Sequence, residues 1–133
     1  MEKNLFDNET GNVQMTPDNT CGFVGKETEV INVDGKEVTA QNAEFVNANI
    51  LGVTVGSNGL KGGDSGHGSR TIIRLKNECS TDWDCKVKRD ETGCVTEIEI
   101  VLGGDSELCT MINALEYSAK ALRANFQDEP IEE

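Results

Sequence analysis

The amino-acid sequence predicts an α+β domain, an antiparallel sheet meander of about five to six strands with a C-terminal amphipathic helix packed across one face. Three observations carry that expectation. Runs rich in β-branched residues recur up to residue 102, separated by turn signals that include the pair Asp34-Gly35. Several of those runs alternate apolar and polar side chains with the period of a pleated strand. After Gly103 and Gly104 the apolar spacing changes to that of a helix, and it stays so to the end of the patterned sequence.

The elements follow in order. A chain of 133 residues fits one domain with one core. Residues 1–26 are polar and interrupted by Gly11, Pro17 and Gly22, so they are expected to form an N-terminal segment without fixed structure. The domain itself is expected over 27–126, followed by an acidic tail over 127–133. Runs 28–33 and 36–39 flank Asp34-Gly35, the strongest short-range hairpin signal. A strand is predicted over 47–55, with Leu51, Val53 and Val55 on one face and Ile50 and Thr54 on the other, and another over 70–75. Runs 84–88 and 94–102 flank a five-residue turn that ends in Gly93. In the second of these, Thr96, Ile98, Ile100 and Leu102 are expected to pack on the core while Glu97 and Glu99 face water. Asp105 or Ser106 can cap the helix. Leu108, Met111, Ile112, Leu115, Ala119, Leu122 and Phe126 then form the stripe expected to lie on the sheet.

Charge and cysteine content narrow the function classes. Twenty-four acidic against twelve basic residues leave a net charge of -12, which repels nucleic acid and anionic lipid, so no direct nucleic-acid partner is expected. No apolar run reaches membrane-spanning length and the first ten residues are charged and polar, so neither a membrane partner nor a signal peptide is read, and a cytoplasmic protein is expected. Cys21, Cys79, Cys85, Cys94 and Cys109 form an odd set without a CxxC pair, which suits reduced thiols. A zinc site from Cys79, Cys85, Cys94 and His67 would need spacings unlike the close pairs of structural zinc, and no cofactor is implied.

The most informative segment is 56–70, which holds six of the fourteen glycines together with Asn, Lys, Asp, Ser, His and Arg. Glycine lets backbone N–H groups approach a ligand closely, as in phosphate-binding nests. The candidate ligand-binding residues are therefore Asn58, Lys61, Gly63, Asp64, Ser65, His67, Ser69 and Arg70, with Arg74 in the strand that follows. Lys61, Arg70 and Arg74 offer positive charge, Ser65 and Ser69 hydroxyls, and Asn58 or Asp64 acceptors for a ribose hydroxyl. The competing reading is a connection between two strands with no ligand.

Two catalytic patterns fail on this loop. Gly63-Asp64-Ser65-Gly66 resembles the nucleophile region of chymotrypsin-like serine proteases, yet the single histidine lies two residues from Ser65 and the chain is too short for that fold. A P-loop needs Gly-Lys-Ser/Thr leading into a helix, whereas this loop leads into a strand. His67 with Asp64 could do acid–base work, but no nucleophile, metal set or paired carboxylate accompanies them. A non-enzymatic binding protein is expected.

Residues 58–74, the Gly-Gly-Asp turn and the amphipathic C-terminal helix together resemble small bacteriophage proteins of the sponge type. These sequester the nucleotide signals of bacterial immune systems and form the anti-Thoeris and anti-CBASS class. The resemblance spans residues 48–126 and rests on the plan of sheet, Gly-rich loop and helix rather than on any one residue. It implies a homo-oligomer in the host-cell cytoplasm that buries a phosphorylated, cyclic or ADP-ribose-derived nucleotide without cleaving it. The alternative is an acidic inhibitor of the DNA-mimic type acting on a host defence protein, which Glu97 and Glu99 beside Glu29 and Glu37 on one exposed face would favour.

Overall fold

The computed structural model describes residues 21–64 and 66–127, with the backbone alone for Phe126 and Gln127. Six antiparallel strands in two sheets and one C-terminal helix give the α+β fold. The strands are β1 (Gly22–Val33), β2 (Lys36–Val46), β3 (Ile50–Ser57), β4 (Thr71–Cys79), β5 (Trp83–Arg89) and β6 (Val95–Leu102), and the helix is α1 (Asp105–Gln127). The first four strands form one sheet in chain order, while β5 and β6 form a hairpin of their own.

The Asp34-Gly35 hairpin forms as the sequence predicts. Both residues have positive φ, 52° and 83°, as a type I′ turn requires, and the Asn32 side chain accepts from the Gly35 N–H. The strands around it are longer than expected. β1 begins at Gly22 rather than at residue 28, because Gly22 to Lys26 pair with Val46 to Asn42, and the expected N-terminal segment therefore loses its last five residues to the sheet. Its residues up to 20 lie outside the described residues, as does the acidic tail from 128. β2 runs on to Val46, and residues 47–49 form the bend that the sequence reading merged into β3.

Alternation decides what each face of the four-stranded sheet does. Ala43, Phe45, Leu51, Val53 and Val55 point to one side and pack under Met111 and Ala114 of α1. Leu51 and Val55 are fully buried, each a contribution of about 1.5–3 kcal/mol. The alternate positions of β2 to β4, which include Asn42, Glu44, Thr54, Arg74 and Lys76, point to the other side, where no helix of the described residues packs.

The helix is rotated from its expected stripe. Leu108 and Leu115 are exposed at 55% each, while Thr110, Asn113 and Ser118 are buried. A polar network sets this rotation. Asn49, 1% exposed, donates from Nδ2 to the hydroxyls of Thr81 at 2.9 Å and Thr110 at 3.1 Å, and its Oδ1 accepts from Ser106 at 2.6 Å. Glu107 accepts from the Asp82 N–H at 3.0 Å. These bonds fasten the first turn of α1 to the β2–β3 bend and to the start of the hairpin.

The β5–β6 hairpin corrects a further expectation. Ile98 and Ile100 do not pack on the core; they are 63% and 40% exposed. The alternation is present, but the strands belong to a separate two-stranded sheet, so among the described residues the apolar face of the hairpin has no helix beneath it.

At the other edge, Phe23, Phe45 and Tyr117 form a ring triad with centroids 5.6–5.8 Å apart. Burial raises the Tyr117 hydroxyl above its ordinary value of 10.0. A raised folded-state value stabilises below the unfolded value and is lost as pH rises through the folded one. Because Tyr117 is the chain's single tyrosine, alkaline titration of tyrosinate absorbance reads it directly. The midpoint is expected to lie higher in the folded protein than in denaturant, and equal midpoints would refute the packing of this ring.

Candidate functional site

The predicted site residues separate into two places. The Gly-rich loop, residues 58–70, is closed at its base by Asn58 and Arg70. The Asn58 N–H donates to the Arg70 carbonyl at 3.1 Å, and Asn58 Oδ1 accepts from the Arg70 N–H at 2.7 Å. The Arg70 guanidinium turns back on the loop. Its Nη1 donates to the carbonyls of Gly68 at 3.2 Å and Ser69 at 3.1 Å, and its Nε lies 3.6 Å from Asp34 Oδ2 of the β1–β2 turn. Asn58, Ser69 and Arg70 thus hold the loop to the end of the sheet.

Other loop groups are also internal. The His67 N–H donates to the Asp64 carbonyl at 3.0 Å, and the Gly59 N–H to the Ser57 hydroxyl at 3.1 Å. Gly63 and Gly68 meet so closely that a Cβ on Gly68 would lie 2.2 Å from the Gly63 carbonyl oxygen. Close backbone approach therefore explains Gly68 without a ligand. The side chains of Lys61, Asp64 and His67 are exposed, and Ser65 lies outside the described residues. The recess beside the loop holds about 160 Å³ and is lined by Ser57, Leu60, Ser69 and Leu122 among others. That is below the roughly 300 Å³ at which small-molecule sites begin.

Arg74 stands elsewhere. It belongs to the open face of the sheet, opposite Thr54, in a groove of about 550 Å³ whose lining includes no residue of the loop. Lys26 and Lys76 are the other cations there, and Glu27, Glu29, Glu44 and Glu78 the carboxylates. Three of these carboxylates are already engaged: Lys26 lies 3.7 Å from Glu44, Lys76 lies 3.9 Å from Glu78, and Asn42 donates to Glu29 at 3.0 Å. Arg74 makes no side-chain hydrogen bond or ion pair among the described residues. The floor is low at Gly52, where a Cβ would come within 2.9 Å of the Glu78 carboxylate, and Thr54 is held by a hydrogen bond to Asn42.

The arrangement offers a free bidentate donor, two ammonium groups, and acceptors suited to hydroxyls. Lys26, Asn42, Gly52, Thr54 and Lys76 were not singled out from the sequence. Part of the signal was there: Asn42, Glu44, Thr54, Arg74 and Lys76 alternate with apolar neighbours, whereas Val38 and Ala40 on the same side of β2 are apolar and buried.

Among the described residues no cluster of His, Cys, Asp and Glu could hold a metal ion, and no disulfide joins any of the five cysteines. No helix among them is long and apolar enough to cross a membrane. The fold and groove define a class, an α+β protein with a helix on one sheet face and, on the other, a groove whose lining is mixed in charge. No protein-family model matches the chain, and no curated protein or solved structure proved similar to it.

Proposed function

We propose that the protein is a non-enzymatic binding protein whose open-face groove takes a phosphorylated, hydroxyl-bearing ligand of nucleotide size. The resemblance to sponge-type phage proteins makes a cyclic nucleotide immune signal the candidate, held in the cytoplasm of a host cell by a homo-oligomer. The observation that carries the reading is Arg74, an exposed guanidinium without a protein partner among the described residues, in a groove of about 550 Å³. A volume of this order suits a small ligand. A phosphate on Arg74 gains charge-assisted, bidentate hydrogen bonds. Glu27, Glu29 and Glu44 line the same space, and their carboxylates keep lone pairs that suit ribose hydroxyls. The surrounding carboxylates and the net charge of -12 weaken long-range attraction, so selection rests on close contacts.

The DNA-mimic alternative gains no support from the charge layout. Glu97 and Glu99 lie on the hairpin, directly across from Lys88 and Lys86, while Glu29 belongs to the other sheet. The acidic residues that a mimic needs on one face are divided and partly neutralised.

Native mass spectrometry against cyclic dinucleotides, cyclic trinucleotides and cyclic ADP-ribose isomers tests the reading. One unmodified ligand per groove is expected, with Arg74→Ala weakening it about 100-fold, the scale of losing hydrogen bonds to a charged group. Arg70→Ala is expected to loosen the loop and leave affinity within a few-fold. Loss of binding in Arg70→Ala with none in Arg74→Ala would move the site to the loop. A bare protein across the panel would reject a nucleotide ligand.

A further inference from the structure

The β5–β6 hairpin presents a second surface, independent of what the groove binds. An isolated two-stranded hairpin is marginal in water and normally needs a further strand or a helix against one face. Here only Trp83 and Leu102, at its base, are half-buried; all other residues of β5 and β6 are exposed. Cys85 pairs with Ile100 and Val87 with Ile98, so four apolar side chains share one bare face. That face opens onto Ile73 and Leu75 of β4, and the two surfaces bound a groove of about 440 Å³ with no charged residue in its lining.

The neighbourhood of the groove is equally unfinished. β4 is an edge of its sheet, and both hairpin strands are edges of theirs, so among the described residues no strand pairs with the outer backbone groups of each. On α1, Leu108 and Leu115 are exposed at 55% each. They lie on the same flank as Leu122, which reaches toward Thr71 at the start of β4. Scattered exposed hydrophobics are ordinary, but Cys85, Val87, Ile98 and Ile100 share one face of the hairpin that carries no charge.

We propose that this surface is a two-fold interface with a second copy of the chain, in which each copy lays its β5–β6 arm into the groove between the arm and β4 of the other. A second copy is the fitting occupant because one chain carries both halves of the contact, an apolar arm and an apolar groove, and a two-fold operator closes such a pair. Charge agrees. At -12 the chain repels its own copies wherever its acidic surface is presented, and a neutral apolar patch is where two copies can meet. On the arm's outer face Lys86 and Lys88 stand opposite Glu99 and Glu97, so these four charges balance one another and leave the apolar face uncharged. The extent is adequate. Strands of seven and eight residues give an arm about 25 Å long, and an arm given plus an arm received is on the scale of the roughly 800 Å² per subunit of a standard interface.

Sedimentation velocity of the full chain, without added nucleotide, tests this from low micromolar to about 100 μM, a range that resolves ordinary homodimer affinities. A dimer is expected, with the emission of the single tryptophan, Trp83, shifting to the blue as the groove fills. Ile98→Glu places a charge at the centre of the contact and is expected to weaken dimerisation at least about 100-fold, with circular dichroism unchanged because Ile98 is 63% exposed. Val101→Glu lies on the opposite face of the same strand and is expected to leave the dimer intact. A wild-type chain that stays monomeric throughout overturns the proposal and leaves the patch to a foreign protein. Equal dissociation by both variants also overturns it, because the effect would then not depend on the face.

Discussion

Asn49→Ala is expected to lower the stability of the fold by about 3–4 kcal/mol, although Asn49 lies in no strand or helix and touches no proposed ligand. Three hydrogen bonds end on its side chain, to Thr81, Thr110 and Ser106. Each is worth about 1 kcal/mol net, and removing one partner leaves the others facing a site that water cannot reach, which adds to the cost. At 1% exposure Asn49 has no solvent to replace those partners. The network also sets the geometry of three elements, since Ser106 belongs to the first turn of α1 and Thr81 to the link before β5. The expected signature in urea is a lower midpoint with an unchanged slope. A loss below about 1 kcal/mol would show that the network is dispensable, the outcome for exposed hydrogen bonds.

The second large effect is expected at Gly56→Ala. A Cβ there would lie 2.6 Å from the Thr39 carbonyl oxygen and 2.8 Å from the Ala40 Cα, both backbone atoms of the neighbouring strand. Relief requires β2 and β3 to part where Ala40 pairs with Gly56, close to two of the fully buried side chains, Val38 and Val55. Overpacking costs about 1–3 kcal/mol, and the upper end applies because backbone rather than a side chain must move. Gly62→Ala is the useful comparison. It has φ +83° and nothing within 4 Å, so its penalty is the backbone strain alone, about 1–2 kcal/mol. If the two variants unfold at the same denaturant concentration, the close pairing of β2 and β3 at Gly56 is wrong.

Both residues bear on how the Gly-rich segment is to be read. Its glycine density and polar side chains suggest a ligand cradle from composition, and the competing explanation is close backbone approach. Gly56 and Gly68 belong to the second kind, and Arg70 and Asn58 turn inward to fasten the loop. Arg74 makes no side-chain hydrogen bond or ion pair among the described residues, and it lies on a different surface from the loop. A guanidinium's identity can be read from one letter, but whether it is consumed by a nearby carbonyl depends on where the chain folds back.

Local chemistry was legible in the amino-acid sequence by itself. Asp34-Gly35 specifies a type I′ hairpin because both positions need positive φ. The alternation of Leu51, Val53 and Val55 specifies the helix-facing side of β3, and the switch of period after Gly104 specifies a C-terminal helix. Tertiary structure decided the rest. Ile98 and Ile100 alternate as core residues do, yet they are bare because β5 and β6 pair only with each other. Leu108 and Leu115 fit an apolar stripe, yet α1 rests on Met111 and Ala114 because Asn49 holds its first turn in one rotation. Periodicity states which residues share a face. What that face meets is set by contacts between residues far apart in the chain, and those depend on which strands pair and how the helix is rotated.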